Sequence, residues 1–471
     1  MKATKLQLGP HRNGGLALLG FVGVALLFFP GPVVGQDMAT TGAPVTFAKD
    51  VSPILQAKCQ TCHRPGGMGP TSWTSYEEVR PFAALIKEKV VNRRMPPWYI
   101  DPGIGIQDFK NDISLSDEEI QTISQWVDAG APLGNPDDMP PAVVWDDSLT
   151  WKLEEHFGRP PDLIVESPPY TVPPSGLDHW FEPTSFIEGL TEPRWAQATE
   201  IRPGSTESRY VFHHANSALA SSAAGKDFDL FPEDAGKLLQ PGQRIDWAMH
   251  FFPAGQLVED AHIQLGIWLY PEGEVPELEV SHTSWLTDPI ANRSVLQQDS
   301  PCWEQPARIP LDSPECNVGT RLTDLALPPH GVSTQQGVHV MQRAVRLNSI
   351  RGHMHMRGKY QTMEAIYPDG RREVINRINW DHKWHTAHAY ADHAAPLLPK
   401  GTTLIVTAQY DNTVNNPNNP DPDQWVFFGR RSADEMGHFH MEVTWLEEEE
   451  YERLVAEREQ LLRQLADDGE Q

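Results

Sequence analysis

Residues 402–410 read TTLIVTAQY, a run of strand-forming residues bounded by Gly401 and Asp411. RYVFHHA at 209–215 and QLGIWLY at 264–270 are runs of the same kind, set apart by Gly, Pro, Asn and Asp. Such alternating runs mark strands that turn one face to a core. From about residue 160 they form the signature of a β sandwich or barrel, and roughly 290 residues of it imply two all-β sandwiches in tandem, at 160–300 and 301–447. No Gly-rich phosphate loop and no helix-rich crossover pattern interrupts them.

The chain has 471 residues, more than one core of usual size accommodates. Its 42 prolines and 35 glycines favour loop-rich β structure, and 15 tryptophans argue for folded domains. A net charge of −26 would be repelled by phosphates, which argues against nucleic acid as a partner. Lys2, Lys5 and Arg12 precede the apolar run GLALLGFVGVALLFF at 15–29. That run is shorter than the ~20 residues of a membrane span, and small residues follow it. Residues 1–36 therefore read as a signal peptide, which implies export to the periplasm or beyond and no stable membrane span after cleavage. In an exported protein Cys302 and Cys316 are expected to pair as a disulfide.

Residues 58–70, KCQTCHRPGGMGP, contain C-x-x-C-H. This spacing attaches haem c through Cys59 and Cys62, with His63 beneath the iron. A zinc site would need a second ligand pair, and none follows. The sixth ligand is expected to be Met95, in RRMPPWYI, because Met68 is too close to His63 to cross the ring. A helix over 76–91 supplies the reach, and Ser116 caps another that begins with Asp117 to Glu119. These features resemble a small monohaem cytochrome c, an all-α domain over 44–135. Residues 136–159 read as a linker and 448–471 as an acidic helical tail.

Histidines gather on the strands. FHHAN offers His213 and His214, WAMHFFPAG offers His250, and IRGHMHMRGK offers His353 and His355 on one strand face. SADEMGHFHMEV adds Met436, with His438 and His440 on the same face of its strand. Imidazole clusters suit zinc, copper, iron or nickel, and a thioether beside two histidines favours copper. His382, His385, His388 and His393, in NWDHKWHTAHAYADH, read as a solvated loop.

The order HH, lone His, H-x-H, D-E-M resembles the copper type II ascorbate-dependent monooxygenases. The DNTVNNPNNPDP loop and the GHMHMRGK strand resemble their bacterial members, in which a cytochrome c domain often precedes the copper module. The resemblance implies two jelly-roll sandwiches facing each other across a solvent-filled cleft. It implies one copper on His213, His214 and His250 for electron transfer. A second copper, on His353, His355 and Met436, would activate O2 for C–H hydroxylation. In peptide-hydroxylating members an arginine pairs with the substrate carboxylate. Arg351 shares the face of the H-x-H pair and suits that role or a structural ion pair. His438 and His440 depart from the peptide-hydroxylating pattern, which puts peptide substrates in doubt. The expected activity is an exported haem- and copper-dependent monooxygenase acting on a small-molecule or peptide-like substrate, with an external electron donor to the haem. The alternatives are a non-catalytic electron-transfer or copper-binding protein, and a structural module without copper.

Overall fold

A computed structural model describes residues 44–67, 69–145, 149–176, 178–286, 325–429 and 431–469. The signal segment, Met68, Cys302 and Cys316 lie outside them.

Strand alternation builds two large sheets, with four smaller ones beside them among the described residues. The Thr403–Asp411 strand buries Leu404, Val406, Ala408 and Tyr410 and pairs antiparallel with Gly358–Ile366 on one side and Val332–Val340 on the other. Beyond Gly358–Ile366 come Arg372–Asn379 and, at the edge, Ile100–Gly105, making five strands. The second sheet has ten strands and runs through both halves of the β structure. Its first half carries Leu163–Glu166, Ile263–Leu269, Arg194–Pro203 and Ala235–Leu239; its second carries Leu278–Leu286, Gly437–Leu446 and Ala344–Met354. The halves join where Ala235–Leu239 runs parallel to Leu278–Leu286.

The Gly437–Leu446 strand shows why the site lies where it does. Its Phe439, Met441 and Val443, with Leu347 of the neighbouring strand, enter a core with Met363, Leu404 and Val406 from the facing sheet. Each such side chain contributes about 1.5–3 kcal/mol by leaving water. His438, His440 and Glu442 alternate with them and therefore project from the opposite face.

The expected all-α cytochrome domain is not what forms. The described chain is mostly β, with 38% strand and 19% helix, and its helices before residue 140 are short. The expected 76–91 helix is three pieces, Tyr76–Val79, Arg80–Phe82 and Ala83–Val91, because Pro81 interrupts the ladder. Asp117–Asp128 is the longest, with a Ser116–Glu119 capping box. These helices share a small core of Phe47, Leu55, Ile86, Ile123 and Trp126. The segment does not close on itself, however. Trp98, Tyr99 and Ile100 enter the core of the five-stranded sheet, and Ile100–Gly105 pairs with Arg372–Asn379. Two separate tandem sandwiches are not found either, since the ten-stranded sheet is continuous across both. The stretch read as a linker is docked at its end, where Trp151 and Leu153 pack on Trp268. Among the described residues no helix is long and apolar enough to cross a membrane.

Candidate metal centre

His214 and His250 face each other across the antiparallel pair of Phe212–Asn216 and Ala248–Phe251. Consecutive strand residues normally point to opposite faces, so a bare HH would place only one imidazole on the site. A register shift resolves this: His250 pairs with His214 and Phe251 with Phe212, which leaves His213 as the extra, bulged residue. One ligand atom from each of His213, His214 and His250 lies within 4.8 Å of the others. His250 Nε2 is 2.7 Å from Asp178 Oδ2, and Trp180 stacks on the ring at 4.3 Å. That contact leaves His250 Nδ1 for the centre, and this nitrogen and His214 Nε2 are buried without hydrogen-bond partners. Burial holds His213 down to about 3 and His214 well below the ordinary range. Both imidazoles are therefore neutral, as ligands must be. The orphaned nitrogens and the carboxylate behind His250 fit a metal ion.

The first group's strands belong to a separate four-stranded sheet, and the second group lies at the ends of Ala344–Met354 and Gly437–Leu446 in the ten-stranded sheet. His353 pairs directly with His438, and Met354 with Gly437. Continuing that register sets His355 opposite Met436. Opposite residues of an antiparallel pair share a face, so Arg351, His353 and His355 share theirs with His440, His438 and Met436. His353 and His355 have ring centroids 5.2 Å apart. His355 Nδ1 is 3.2 Å from the Asp434 carbonyl oxygen, which leaves Nε2 free to ligate. Met436 is half-buried, and its carbonyl accepts a hydrogen bond from Tyr410 at 3.2 Å.

Glu435 fixes the backbone around both residues. Its carboxylate accepts from the N–H groups of His355, Met436 (3.0 Å) and Arg357 (2.9 Å). Burial raises this carboxyl to about 7 against the pull of those donors and of Arg357. Arg357 is itself buried and donates to Asn412 Oδ1 at 2.9 Å and to the Ala433 carbonyl at 2.8 Å. Arg357→Ala is expected to cost about 3–5 kcal/mol in urea unfolding, since it strands these acceptors beside a buried carboxylate. A loss below about 1 kcal/mol would mean that the network does not hold the His355–Met436 turn.

The histidine-rich loop is not solvated, contrary to the sequence expectation. His385 is 4% exposed and His388 is fully buried, while His382 is half-buried and His393 is exposed at its side chain. His385 stacks on His214 at 4.3 Å and lies 5.1 Å from His353, and Trp384 lies 4.8 Å from His213. Imidazole and indole rings thus pack between the two histidine groups, where the resemblance implied a solvent-filled cleft. His388 packs edge-on against Trp98 at 4.4 Å, and its Nε2 meets Thr386 Oγ1 at 3.0 Å. Loop composition hid this, because the segment is polar and its burial depends on both sheets. Arg351 is also buried, with Nη1 lacking a partner, and burial lowers it to about 10.

Cys59 and Cys62 are free thiols at the end of the Ser52–Lys58 helix. A tight turn holds them, with the N–H groups of Cys62 and His63 donating to the Cys59 carbonyl at 3.2 and 2.9 Å. Burial pushes the Cys59 thiol up to about 12 and raises Cys62 as well, which is the reverse of a reactive thiolate pair. His63 Nδ1 lies 3.1 Å from the Thr71 carbonyl, leaving Nε2 to ligate, and its ring stacks on Trp73 at 3.7 Å. Gly69 approaches so closely that a Cβ there would sit 2.8 Å from His63 Nδ1. Met95 lines a pocket with Val90, Leu115 and Ile120, and Cys59 packs against the same small core. Cys59, Cys62, His63 and Met95 are donor types that haem c uses, and the pocket around Met95 does not include His63.

No family model matches the chain, and no curated protein matches it. Among solved structures it is similar to a two-domain protein of unknown function from Bacteroides fragilis, at 9% identity and TM-score 0.15, over 62% of this chain and 99% of that one. Procruciferin, an 11S globulin from Brassica napus, matches at 9% identity and TM-score 0.13, over 60% and 83%. An oxalate decarboxylase variant of B. subtilis matches at 10% identity and TM-score 0.12, over 58% and 73%. Likeness at these scores assigns neither a fold family nor a chemistry, so the site must be read from its own residues.

Proposed function

We propose that the chain is an exported haem- and copper-dependent oxidoreductase, a monooxygenase that hydroxylates an organic substrate with O2. The observation that carries this is the convergence of His213, His214 and His250, two of them with buried, unpartnered nitrogens. In this reading Cys59, Cys62 and His63 hold haem c with Met95 as its sixth ligand, and an external donor reduces it. His213, His214 and His250 hold one copper, and His353, His355 and Met436 the other. When bound, copper supplies one-electron exchange and reaction with O2. Asp178 orients His250, the Asp434 carbonyl orients His355, and Glu435 positions the backbone of His355 and Met436. Arg351, buried with an unpaired nitrogen, is the group suited to an anionic substrate.

One observation favours a second reading. The rings of His385 and Trp384 fill the space between the histidine groups, which suits electron transfer without an organic substrate.

The experiment is copper titration of the metal-free protein followed by oxygen uptake with reductant and candidate substrates. Two coppers per chain are expected, and one after His250→Ala. Substrate-dependent oxygen uptake supports the monooxygenase. Copper binding without it supports the second reading. Zinc binding with no copper uptake would end both.

A further inference from the structure

The two histidine groups belong to different sheets, and one side chain touches both. We infer that the His385 ring is the bridge by which electrons pass from the first centre, His213–His214–His250, to the second, His353–His355–Met436, through packed rings rather than across solvent. His385 belongs to neither ligand set, and its role rests on the two-centre reading above.

His385 is buried, and each side of its ring meets a different group. On one side it stacks on His214, with centroids 4.3 Å apart and planes 17° apart. On the other its centroid lies 5.1 Å from that of His353. A ligand of the first centre and a ligand of the second are thus separated by one imidazole. Two indoles pack edge-on around that imidazole, Trp380 at 5.0 Å and Trp180 at 5.5 Å. Each also reaches a group of its own: Trp180 stacks on His250 at 4.3 Å, and Trp380 lies 6.1 Å from His353. Packing of this kind leaves few voids large enough for water, so an electron crossing here meets contiguous atoms.

The loop that carries the ring is pinned on both flanks. The Trp384 N–H donates to the Asp381 carbonyl at 2.9 Å. Thr386 forms a parallel bridge with Ala224, which follows the strand paired with Phe212–Asn216. Asn111, from the helical layer, clamps the next turn: its Nδ2 donates to the Ala387 carbonyl at 2.8 Å and its Oδ1 accepts from the Ala389 N–H at 2.9 Å. Partners far away in sequence therefore fix the backbone around His385, and the contact with both groups is standing rather than made on closure. The step itself moves one electron. Copper(I) at the first centre is oxidised and copper(II) at the second is reduced, while the imidazole forms and breaks no bond and carries no proton. The electron comes from the external donor through the haem, and O2 is the final acceptor.

The test uses the full-length protein loaded with haem and copper. Copper content is measured by titration. The protein is then reduced without oxygen and mixed with O2, and the haem band is followed by stopped-flow spectroscopy, with copper-free protein as the background. O2 reacts at the second centre in the reading above, so the haem reoxidises only by way of both centres. His385→Ala, which leaves a cavity between the groups, should slow haem reoxidation about tenfold or more and still bind two coppers. His385→Phe, which restores a ring, should bring the rate back toward wild type, and His388→Leu, outside both groups, should leave it unchanged. A second readout needs no turnover: in the oxidised protein, electron paramagnetic resonance should show an exchange interaction between the coppers that His385→Ala abolishes, while their dipolar interaction, which reports distance, stays. If His385→Ala does not fold, the wild type decides, since two bound coppers without exchange would overturn the inference. Equal reoxidation in wild type and folded His385→Ala, each with two coppers, would overturn it and leave the two-centre reading standing. Loss of a copper on His385→Phe would make His385 a ligand and overturn it as well. A folded wild type that binds fewer than two coppers would overturn the two-centre reading and the bridge together.

Discussion

Metal-free protein taken from pH 7 to pH 5 is expected to lose a large part of its stability. Burial holds His213 and His388 down to about 3 and His438 to about 4, while in the unfolded chain each titrates near 6.5. Below that value the unfolded state binds protons that the folded state refuses. Stability is therefore complete above about 6.5 and falls as pH drops toward 3–4. Each such group weakens the fold by about 1.4 kcal/mol per pH unit, so the three together remove at most about 6 kcal/mol by pH 5. Typical total stabilities are about 5–15 kcal/mol. His214, His353, His385 and His440 are pushed in the same direction by burial and add to the loss. Urea midpoints followed by tryptophan fluorescence between pH 5 and 7.5 measure the slope. A flat profile would mean that these histidines are hydrated. Metal-loaded protein should resist acid better, because ligand nitrogens are then occupied. His388→Leu should remove one group's share of the slope without touching metal uptake, since His388 packs on Trp98 and lies outside both ligand sets.

How much of this could be read in the sequence depends on how local each signal is. TTLIVTAQY announces its strand because residues two apart enter one core. The same period puts His353 with His355 and His438 with His440 on common faces. The bulge that turns His213 toward His214 and His250 has no such signature, because it arises from pairing with a strand more than thirty residues away. Ile100–Gly105, IDPGIG, carries a proline and two glycines and no alternation, so its place at a sheet edge is set by Arg372–Asn379. That edge strand is what turned an expected all-α domain into a helical layer tied to a β core. The error over His385 has the opposite cause. A polar loop reads as solvated unless two partners cover it, and here the rings of His214, His353 and Trp380 do so.

Replacing both Cys59 and Cys62 by alanine is expected to take the protein from one covalent haem per chain to none. The proposal predicts that the full-length chain, exported by a host that attaches haem c, keeps its haem through denaturing electrophoresis. Thioether bonds survive conditions in which iron–ligand bonds do not, so a retained haem reports the cysteines alone. His63→Ala should leave attachment possible but change the spectrum, because Nε2, freed by the Nδ1 contact with the Thr71 carbonyl, is the proposed axial donor. Met95→Ala should turn the haem high-spin or open it to carbon monoxide; an unchanged spectrum would assign the sixth position to another residue. The thiols themselves separate this from a redox pair. Burial holds both protonated, so without haem they should react slowly with thiol reagents at pH 7 and faster only once the Ser52–Lys58 helix opens. Rapid labelling of both in the native protein would show that they are neither held protonated nor joined to a porphyrin, and the proposed path of electrons into the histidine centre would then have to begin elsewhere.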